Sequence, residues 1–577
     1  LACAIPTLVA LSWVPSSNFV NQALALVGWG VWVGLSAAGF LLGQRSAHGL
    51  SAPLPLVGAW LLLIVAVAAS MARGLPLSLG CSTLGFLLAA GVVLWFAQVV
   101  SRFGASEQAF KGLCAALALA AVANAVVAMI QTLAPSWADG AWLALAGQGR
   151  ASGNMRQPNH LSTLLLWGLV ALVGLRPGGL ASDSAAKRTA WRVLAGLGAA
   201  LLSFALVLTG SRTGALGLLI LAVWGALDRR LPSDVRLGLI GALVAYGLMV
   251  WAWGGDLHEA YAITDLGDRL SLEGDFSSMR LGIWANTLEL IRQHPWVGVG
   301  WGQFNAAWSL TPFPSRPPAF FDHAHNLPLQ LAAELGVPLA LLICGLLAWA
   351  LWQAIRRSWG TPQRAGHEMA APATMMVLLV ALHSQLEYPL WYAYFLLPTV
   401  FVWGLCLARV DPSHSRNAMH QPHLQLGGLA AAGACLALGA LFAMVDFARV
   451  VVIFDPPADA PALSQRIEAG QHSVFFSHHA HYAAATTTAN PSSEMPSLQY
   501  ASHYLLDARL MQAWAKAYAQ RGEPDKARYI VDRLREFGDA HAGPFLAACD
   551  VPRPPGVEAP FQCQPSKQPW TYKDFRQ

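Results

Sequence analysis

Charge is scarce in this 577-residue chain: Asp, Glu, Lys and Arg make up 12% of it, against roughly a quarter in an average soluble domain. A chain so poor in charge, 55% hydrophobic and with a mean hydropathy of +0.46, is not disordered, coiled-coil, collagenous or an ordinary cytosolic enzyme. The apolar/polar alternation over ~10 residues that marks a transmembrane barrel strand is missing as well. Net charge is only +5, so nucleic acid is not an expected partner. There is no Walker A loop and no Rossmann glycine fingerprint, and His367-Glu368 lacks the second His of a metalloprotease helix. The sequence as it stands opens at Leu1 without Met or a charged n-region, and no cleavable leader is expected. Six of the eight cysteines (Cys3, Cys81, Cys114, Cys344, Cys406, Cys435) sit in apolar blocks and read as small core hydrophobes.

What the chain does have is long apolar blocks. Leu56–Ala69, Leu113–Ile130, Leu194–Leu208 and Leu237–Trp253 are nearly free of charge, and many blocks reach the ~20 residues that cross a bilayer. The expected fold is an all-α polytopic membrane protein with about thirteen spans, the bilayer itself being its first partner. The spans run near 1–14, 20–43, 53–72, 80–100, 112–134, 159–175, 191–209, 212–227, 237–254, 325–354, 369–388, 390–408 and 425–454. The first span and the two around Gly210 are short, so twelve is the alternative.

Lys and Arg stay on the cytoplasmic side. With the N-terminus inside, one set of connections holds Arg45, Arg102, Lys111, Arg176, Lys187, Arg188, Arg192, Arg229, Arg230, Arg236, Arg356, Arg357, Arg364, Arg409 and Arg416; the opposite short connections hold Arg73, Arg150, Arg156 and Arg212. The long loop 255–324 and the tail after about 455 then face outward. The tail, 455–577, is a separate polar region opened by Asp455-Pro-Pro-Ala-Asp-Ala-Pro461. It holds amphipathic helical stretches near 498–521 and 524–537, split by Gly522-Glu-Pro524. These resemble one tetratricopeptide hairpin, which cannot bury its own face and so must pack on the membrane domain or grip a partner. In an oxidising compartment Cys549 and Cys563 are able to pair; two unpaired thiols are the alternative. The remaining regions are N-terminal spans over 1–150 and a domain over 151–454 that includes loop 255–324.

Five polar clusters interrupt the apolar pattern, and ionisable residues at membrane depth suggest function. They are Arg156-Gln-Pro-Asn-His160, Gly210-Ser-Arg-Thr-Gly214, Arg280 in Ser277-Ser-Met-Arg-Leu-Gly-Ile-Trp284, Asp322-His-Ala-His-Asn326, and His383-Ser-Gln-Leu-Glu-Tyr-Pro389. The charge bias puts all five near the exported face. Each also has a structural reading. Arg156 and His160 suit a helix start at the interface, Arg212 suits unpaired carbonyls at the glycine break, and Arg280 suits a salt bridge in an acidic loop. His325 suits a packed polar position, and Glu387 suits an arginine partner. His472, His478, His479 and His481 have no accompanying carboxylate or Cys, and no metal is expected.

The motifs carry a resemblance. Arg156-Gln-Pro-Asn-His-Leu161, Gly210-Ser-Arg-Thr-Gly214, Arg280-Leu-Gly-Ile-Trp284, His294-Pro-Trp-Val-Gly-Val-Gly-Trp-Gly-Gln-Phe304, His323-Ala-His-Asn-Leu-Pro-Leu-Gln-Leu-Ala-Ala-Glu-Leu-Gly336 and Gln385-Leu-Glu-Tyr-Pro389 resemble the bacterial O-antigen ligase and polymerase superfamily. Within it the likeness is to the PglL-type protein O-oligosaccharyltransferases. The resemblance covers residues 150–410 well and the N-terminal spans only in general character. It implies transfer of a preassembled glycan from undecaprenyl diphosphate to a Ser or Thr hydroxyl of an exported protein such as a pilin, at the periplasmic face of the inner membrane. No cofactor, metal or nucleotide takes part. His325, Arg280 and Arg212 match the family's essential residues, with His325 as base and the arginines on the diphosphate. Substrate-binding roles are expected for Arg156, Asn159, His160, His323, Asn326, Gln385, Glu387 and Tyr388. An O-antigen ligase acting on lipid A-core, an O-antigen polymerase and, from another class, a membrane transporter are the alternatives.

Overall fold

The computed structural model describes every residue except 44–49, 147–149, 178–184, 254–276, 361–366, 411–421, 539, 553–555 and 576–577. Apart from a two-residue pairing of Leu50–Ser51 with Arg409–Val410, the described secondary structure is helical. In chain order the helices are α1 (Ile5–Leu8), α2 (Phe19–Leu42), α3 (Leu54–Ala72), α4 (Leu77–Arg102), α5 (Ser106–Leu133), α6 (Pro158–Gly174), α7 (Ala185–Thr209), α8 (Arg212–Leu227) and α9 (Ser233–Trp253). They continue with α10 (Ser277–Gln293), α11 (Phe304–Leu310), α12 (Leu327–Leu335), α13 (Val337–Trp359), α14 (His367–His383), α15 (Ala393–Leu407) and α16 (Pro422–Phe454). The tail holds α17 (Leu463–Gln471), α18 (Ser477–Thr487), α19 (Met495–Ala501), α20 (Ala508–Gln520) and α21 (Pro524–Phe537).

Among the described residues eight helices, α2, α3, α4, α5, α7, α9, α13 and α16, are long and apolar enough to cross a membrane, and α6, α8, α14 and α15 are shorter apolar helices. The chain is a multi-pass membrane protein. Leu237, Val244, Leu248 and Trp251 of α9 are exposed, as side chains facing lipid would be. The expected first span, 1–14, does not form: only Ile5–Leu8 is helical there. The Asn21 side-chain amide takes the carbonyls of Pro6 and Val9 at 2.7 and 2.8 Å, which a continuing helix would have needed for its own ladder. The expected span 325–354 also divides. Gly336, at φ 82°, ends α12, and a Cβ there would lie 2.3 Å from the Trp296 carbonyl oxygen. Gly298 meets the same constraint from the other side, 2.4 Å from the Glu334 carbonyl. Only glycine lets the two backbones approach so closely.

Two compact units form. One comprises Leu1–Trp60, Leu88–Glu273 and Gly345–Phe442, the other Leu61–Leu87, Gly274–Cys344 and Ala443–Gln577. Compactness groups the chain differently from the expected regions 1–150, 151–454 and 455–577, which remain a division of sequence.

In the first unit α6 packs on α5, α7, α8 and α14. Gly168 and Gly217 let Ala121 and Leu166 approach; a Cβ at either would meet them within 2.5 Å. In the second unit the described part of loop 255–324 is itself helical and shares one core with the tail. Phe304, Trp308, Leu310 and Phe313 lie with Trp514, Tyr529, Ile530, Leu534, Phe537 and Phe575. Helices α20 and α21 form the expected hairpin across Gly522, while the stretch before it breaks at Asp507, whose carboxylate caps α20 by accepting from Leu510 N at 2.9 Å. The hairpin's apolar face is thereby closed against α11. Arg316 ties the two parts, with Nε 3.0 Å from Glu536 and its guanidinium 4.4 Å from the Phe537 ring, which stacks on Phe320 at 4.0 Å. A disulfide joins Cys549 to Cys563.

Phe537 is fully buried in this joint core. Truncating such a ring costs about 3–5 kcal/mol, so Phe537→Ala should lower the melting temperature of the detergent-purified protein clearly. A melting curve matching the wild type would show that loop and tail do not share a core.

Candidate functional site

In the first unit the break at Gly210 is built from both sides. Arg150 donates from Nε to Thr209 O at 2.9 Å and from Nη2 to Gly210 O at 3.2 Å, so Arg150 meets the carbonyls at the break. Ser211 caps α8, its Oγ accepting from Gly214 N at 3.0 Å. That cap sets half-buried Arg212 as the first residue of α8. The Ser211 hydroxyl also donates to Asn159 Oδ1 at 2.7 Å, and Asn159 Nδ2 donates to Glu387 Oε1 at 3.1 Å. Asn159 thus links the start of α6, the start of α8 and the turn after α14. Three of the five clusters meet there.

Other candidates in this unit face different partners. Arg156, in left-handed backbone at φ 59°, donates to Ser17 O and Asn21 Oδ1 at 2.9 Å each, and to Ala10 O. His160 is buried, with Nδ1 3.1 Å from the Tyr394 hydroxyl and its ring edge-on to Tyr392. Tyr388 stacks on Tyr392 with ring centres 6.1 Å apart. Gln385, in the turn after α14, is exposed and donates its amide to Ala381 O of that helix at 3.2 Å.

In the second unit α10 carries Arg280 and Trp284 one turn apart on one face. The Trp284 indole donates to Ala324 O at 3.0 Å, and Ala324 N donates to Gln330 Oε1 at 2.7 Å. Ala324 is held on both sides. The next residue is His325, in left-handed backbone at φ 51°. Among the described residues it and Arg156 are the two non-glycine positions with positive φ. Such a conformation costs roughly 1–2 kcal/mol, and strain of this kind gathers at functional sites. Asn326 then caps α12, accepting from Leu329 N at 3.0 Å, and the edge of Phe321 meets the imidazole at 5.7 Å. His323 Nδ1 lies 2.9 Å from Asp322 Oδ1. Desolvation works upward on the Asp322 carboxyl, but the imidazoles of His323 and His325 outweigh it and bring it down to about 2. Asp322 therefore stands as a carboxylate beside both histidines.

Glu334, at the buried end of α12, pins the turn leading into α11. Its Oε1 accepts from Phe304 N at 3.3 Å, and the amides of Gly302 and Gln303 also bond it. Burial pushes its carboxyl up to about 7, against those amides and His323. Neither Glu334 nor Trp284 stands out as a single residue in the sequence. Each sits inside a motif, an acid in an otherwise apolar helix and an aromatic one turn from an arginine, and that placement was the available signal. Among the described residues no group of three His, Cys, Asp or Glu is arranged to hold a metal.

Arg212 belongs to the first unit, Arg280 and His325 to the second. Apolar helices, several with polar clusters at their ends, mark a multi-pass membrane protein. Residues 197–344 match the O-antigen ligase family, residues 372–544 the family described as virulence factor membrane-bound polymerase, C-terminal, and residues 151–175 the protein glycosylation ligase family. Parts of the chain thus resemble the O-antigen ligase superfamily and, within it, the PglL-type protein glycosylation ligases. The general O-oligosaccharyltransferase of Acinetobacter baylyi is 32% identical over 287 residues, 46% of this chain and 45% of that protein. The ComP-specific O-oligosaccharyltransferase of the same organism is 25% identical over 269 residues, 44% of each chain. The chain therefore spans a little under half the length of the curated relatives it matches.

A carboxyl raised from 4.5 to about 7 holds its proton more tightly in the folded chain than in the unfolded one. Stability from Glu334 is then present in full below about 4.5 and is lost as pH rises through about 7, by at most ~3 kcal/mol. Glu334→Gln should flatten that decline, so the variant's melting temperature gains on the wild type between pH 5 and pH 8. A difference that stays constant over this range would remove the burial assignment.

Proposed function

We propose that the chain is an oligosaccharyltransferase. It moves a preassembled glycan from undecaprenyl diphosphate to a Ser or Thr hydroxyl of an exported protein such as a pilin, at the periplasmic face of the inner membrane. The observation that carries this reading is the bond from Trp284 to Ala324, which gives His325 a fixed backbone beside a helix face that also bears Arg280. The names of the two curated relatives support a protein acceptor.

In the proposed reaction the acceptor hydroxyl gives its proton to His325 as its oxygen bonds the anomeric carbon. The bond from that carbon to the phosphate oxygen breaks, and the lipid diphosphate departs with the electron pair. The diphosphate is a good leaving group, so charge neutralisation matters more than a general acid. Arg280 supplies it from α10, and Arg212, assigned by its motif, supplies it from the start of α8; a guanidinium binds phosphate oxygens with two parallel donors. Asp322 orients His325 and stabilises the imidazolium. Direct displacement inverts the anomeric centre. The polymerase-family match over 372–544 supports a second reading in which the acceptor hydroxyl belongs to a growing glycan.

Transfer from a defined undecaprenyl-diphosphate glycan to a purified pilin in detergent tests the reading. His325→Ala should lower the rate by about 10²–10⁴, with donor binding retained. Arg280→Lys and Arg212→Lys should each lose about 10²–10³, nearly as much as the alanine variants. A lysine variant with wild-type rate would end the bidentate assignment, and glycan elongation without protein transfer would favour the polymerase reading. Transfer by purified enzyme should continue at an unchanged rate in EDTA; loss of activity restored by a divalent cation would overturn the metal-free mechanism.

A further inference from the structure

Helices α6, α8 and α14 carry the polar clusters at one end only. Pro158, Arg212 and His383 stand at that end, and Gly174, Leu227 and Glu368 stand at the other. At 1.5 Å per residue the two ends are about 25 Å apart, most of the ~30 Å depth of a membrane core. At the far end the first unit has a partly open cavity of about 110 Å³ that no step of the proposed reaction uses. A water needs ~10–15 Å³ on this measure, so the cavity admits several such groups, the scale of a phosphate with its attached carbons.

Lys111, Arg176 and Arg230 line it. Lys111 is paired with Glu107 at 2.6 Å. Arg176, whose side chain is 16% exposed, shares the one carboxylate of Asp234 with Arg192, at 3.6 and 3.0 Å. Arg230 donates to the carbonyls of Ser358 and Trp359, neutral acceptors that leave its charge in place. Glu368, exposed at the start of α14, also borders the cavity and only partly offsets this excess. The rest of the wall includes half-buried Val173, Val235 and Met369. Cationic groups above an apolar wall suit an anionic head on an acyl stem.

We infer that this cavity holds the phosphate head of an anionic phospholipid, its chain running along Val173, Val235 and Met369. The Lys and Arg bias puts this end in the cytoplasmic leaflet, where basic pockets between helices meet anionic lipid. Inorganic phosphate shares the charge but has no use for the apolar wall.

Phosphatidylglycerol, phosphatidylcholine and inorganic phosphate are titrated separately into the detergent-purified full chain, with melting temperature as the readout. Phosphatidylglycerol should stabilise saturably, and its half-saturating concentration should rise about tenfold, near 1.4 kcal/mol, in the Arg176→Gln/Arg230→Gln double variant. Val235→Trp, which fills the cavity and leaves the cations intact, should produce the same rise if loss of the Arg230 bonds disturbs folding. Arg229→Gln, an exposed neighbour outside the cavity wall, should respond as the wild type does. Equal stabilisation by phosphatidylcholine, or an unchanged phosphatidylglycerol response in both cavity variants, would overturn the site. Saturable stabilisation by inorganic phosphate with no gain from lipid would overturn the lipid assignment.

Discussion

The Trp284 indole has one N–H, and its acceptor is the carbonyl immediately before the left-handed residue of the loop. A histidine at φ 51° persists only if the residues around it are over-determined. Here they are: Gln330 takes the Ala324 amide, Trp284 the Ala324 carbonyl, and Asn326 starts a helix on the other side. Because Trp284 and Arg280 lie one turn apart on the same rigid helix, the contact that fixes the imidazole also fixes where the guanidinium leaves the backbone. Without that contact the loop would still exist, but the imidazole would have no fixed direction.

The same economy explains why loop and tail fold together. Residues 304–321 carry large apolar side chains in a segment too short for a core of its own, and a single helical hairpin has an apolar face with nothing to cover it. Each supplies the other's missing surface. Asn305 seals the joint by accepting from Leu506 N at 2.7 Å, and Tyr529 donates to Leu310 O at 2.7 Å, so backbone groups buried by the docking find partners. The tail reads less as an appendage than as the other half of the loop that carries His325.

Local signals were legible in the sequence. Apolar length marked most of the membrane helices, Ser211 and Asn326 sit where N-caps should, and the glycine break at 210 placed Arg212 at a helix start. What stayed hidden depends on contacts far apart along the chain. An apolar run over 1–14 reads as a span until Asn21 claims its carbonyls. The carbonyls at the Gly210 break are met by Arg150, about sixty residues upstream, which no local pattern announces. The division at Gly336 follows from a backbone approach to Trp296 that no local propensity signals. Of the candidate residues, Glu387 reads in the sequence as an arginine partner, and its bond from Asn159 has no local signal; the left-handed conformations of Arg156 and His325 carry no sequence signature at all.

Loss of the first span bears on the proposed orientation through parity. Had the charge bias depended on counting from the N-terminus, removing one helix would have turned the tail and loop 255–324 inward. The bias is carried instead by connections such as Arg176 to Arg192 and Arg229 to Arg236, whose basic residues stay on one side however the chain begins. Under the proposed orientation, removing the first span leaves loop and tail facing outward and moves residues 1–18 to that same side. Their contacts fit that placement. Arg156 holds Ser17, Asn21 and Ala10, and Asn154 donates to Leu8 O at 2.6 Å, so the segment is laid across the start of α6. An arginine that defies the charge bias under the proposed orientation is thus accounted for by backbone carbonyls that a membrane-crossing helix would have kept for itself.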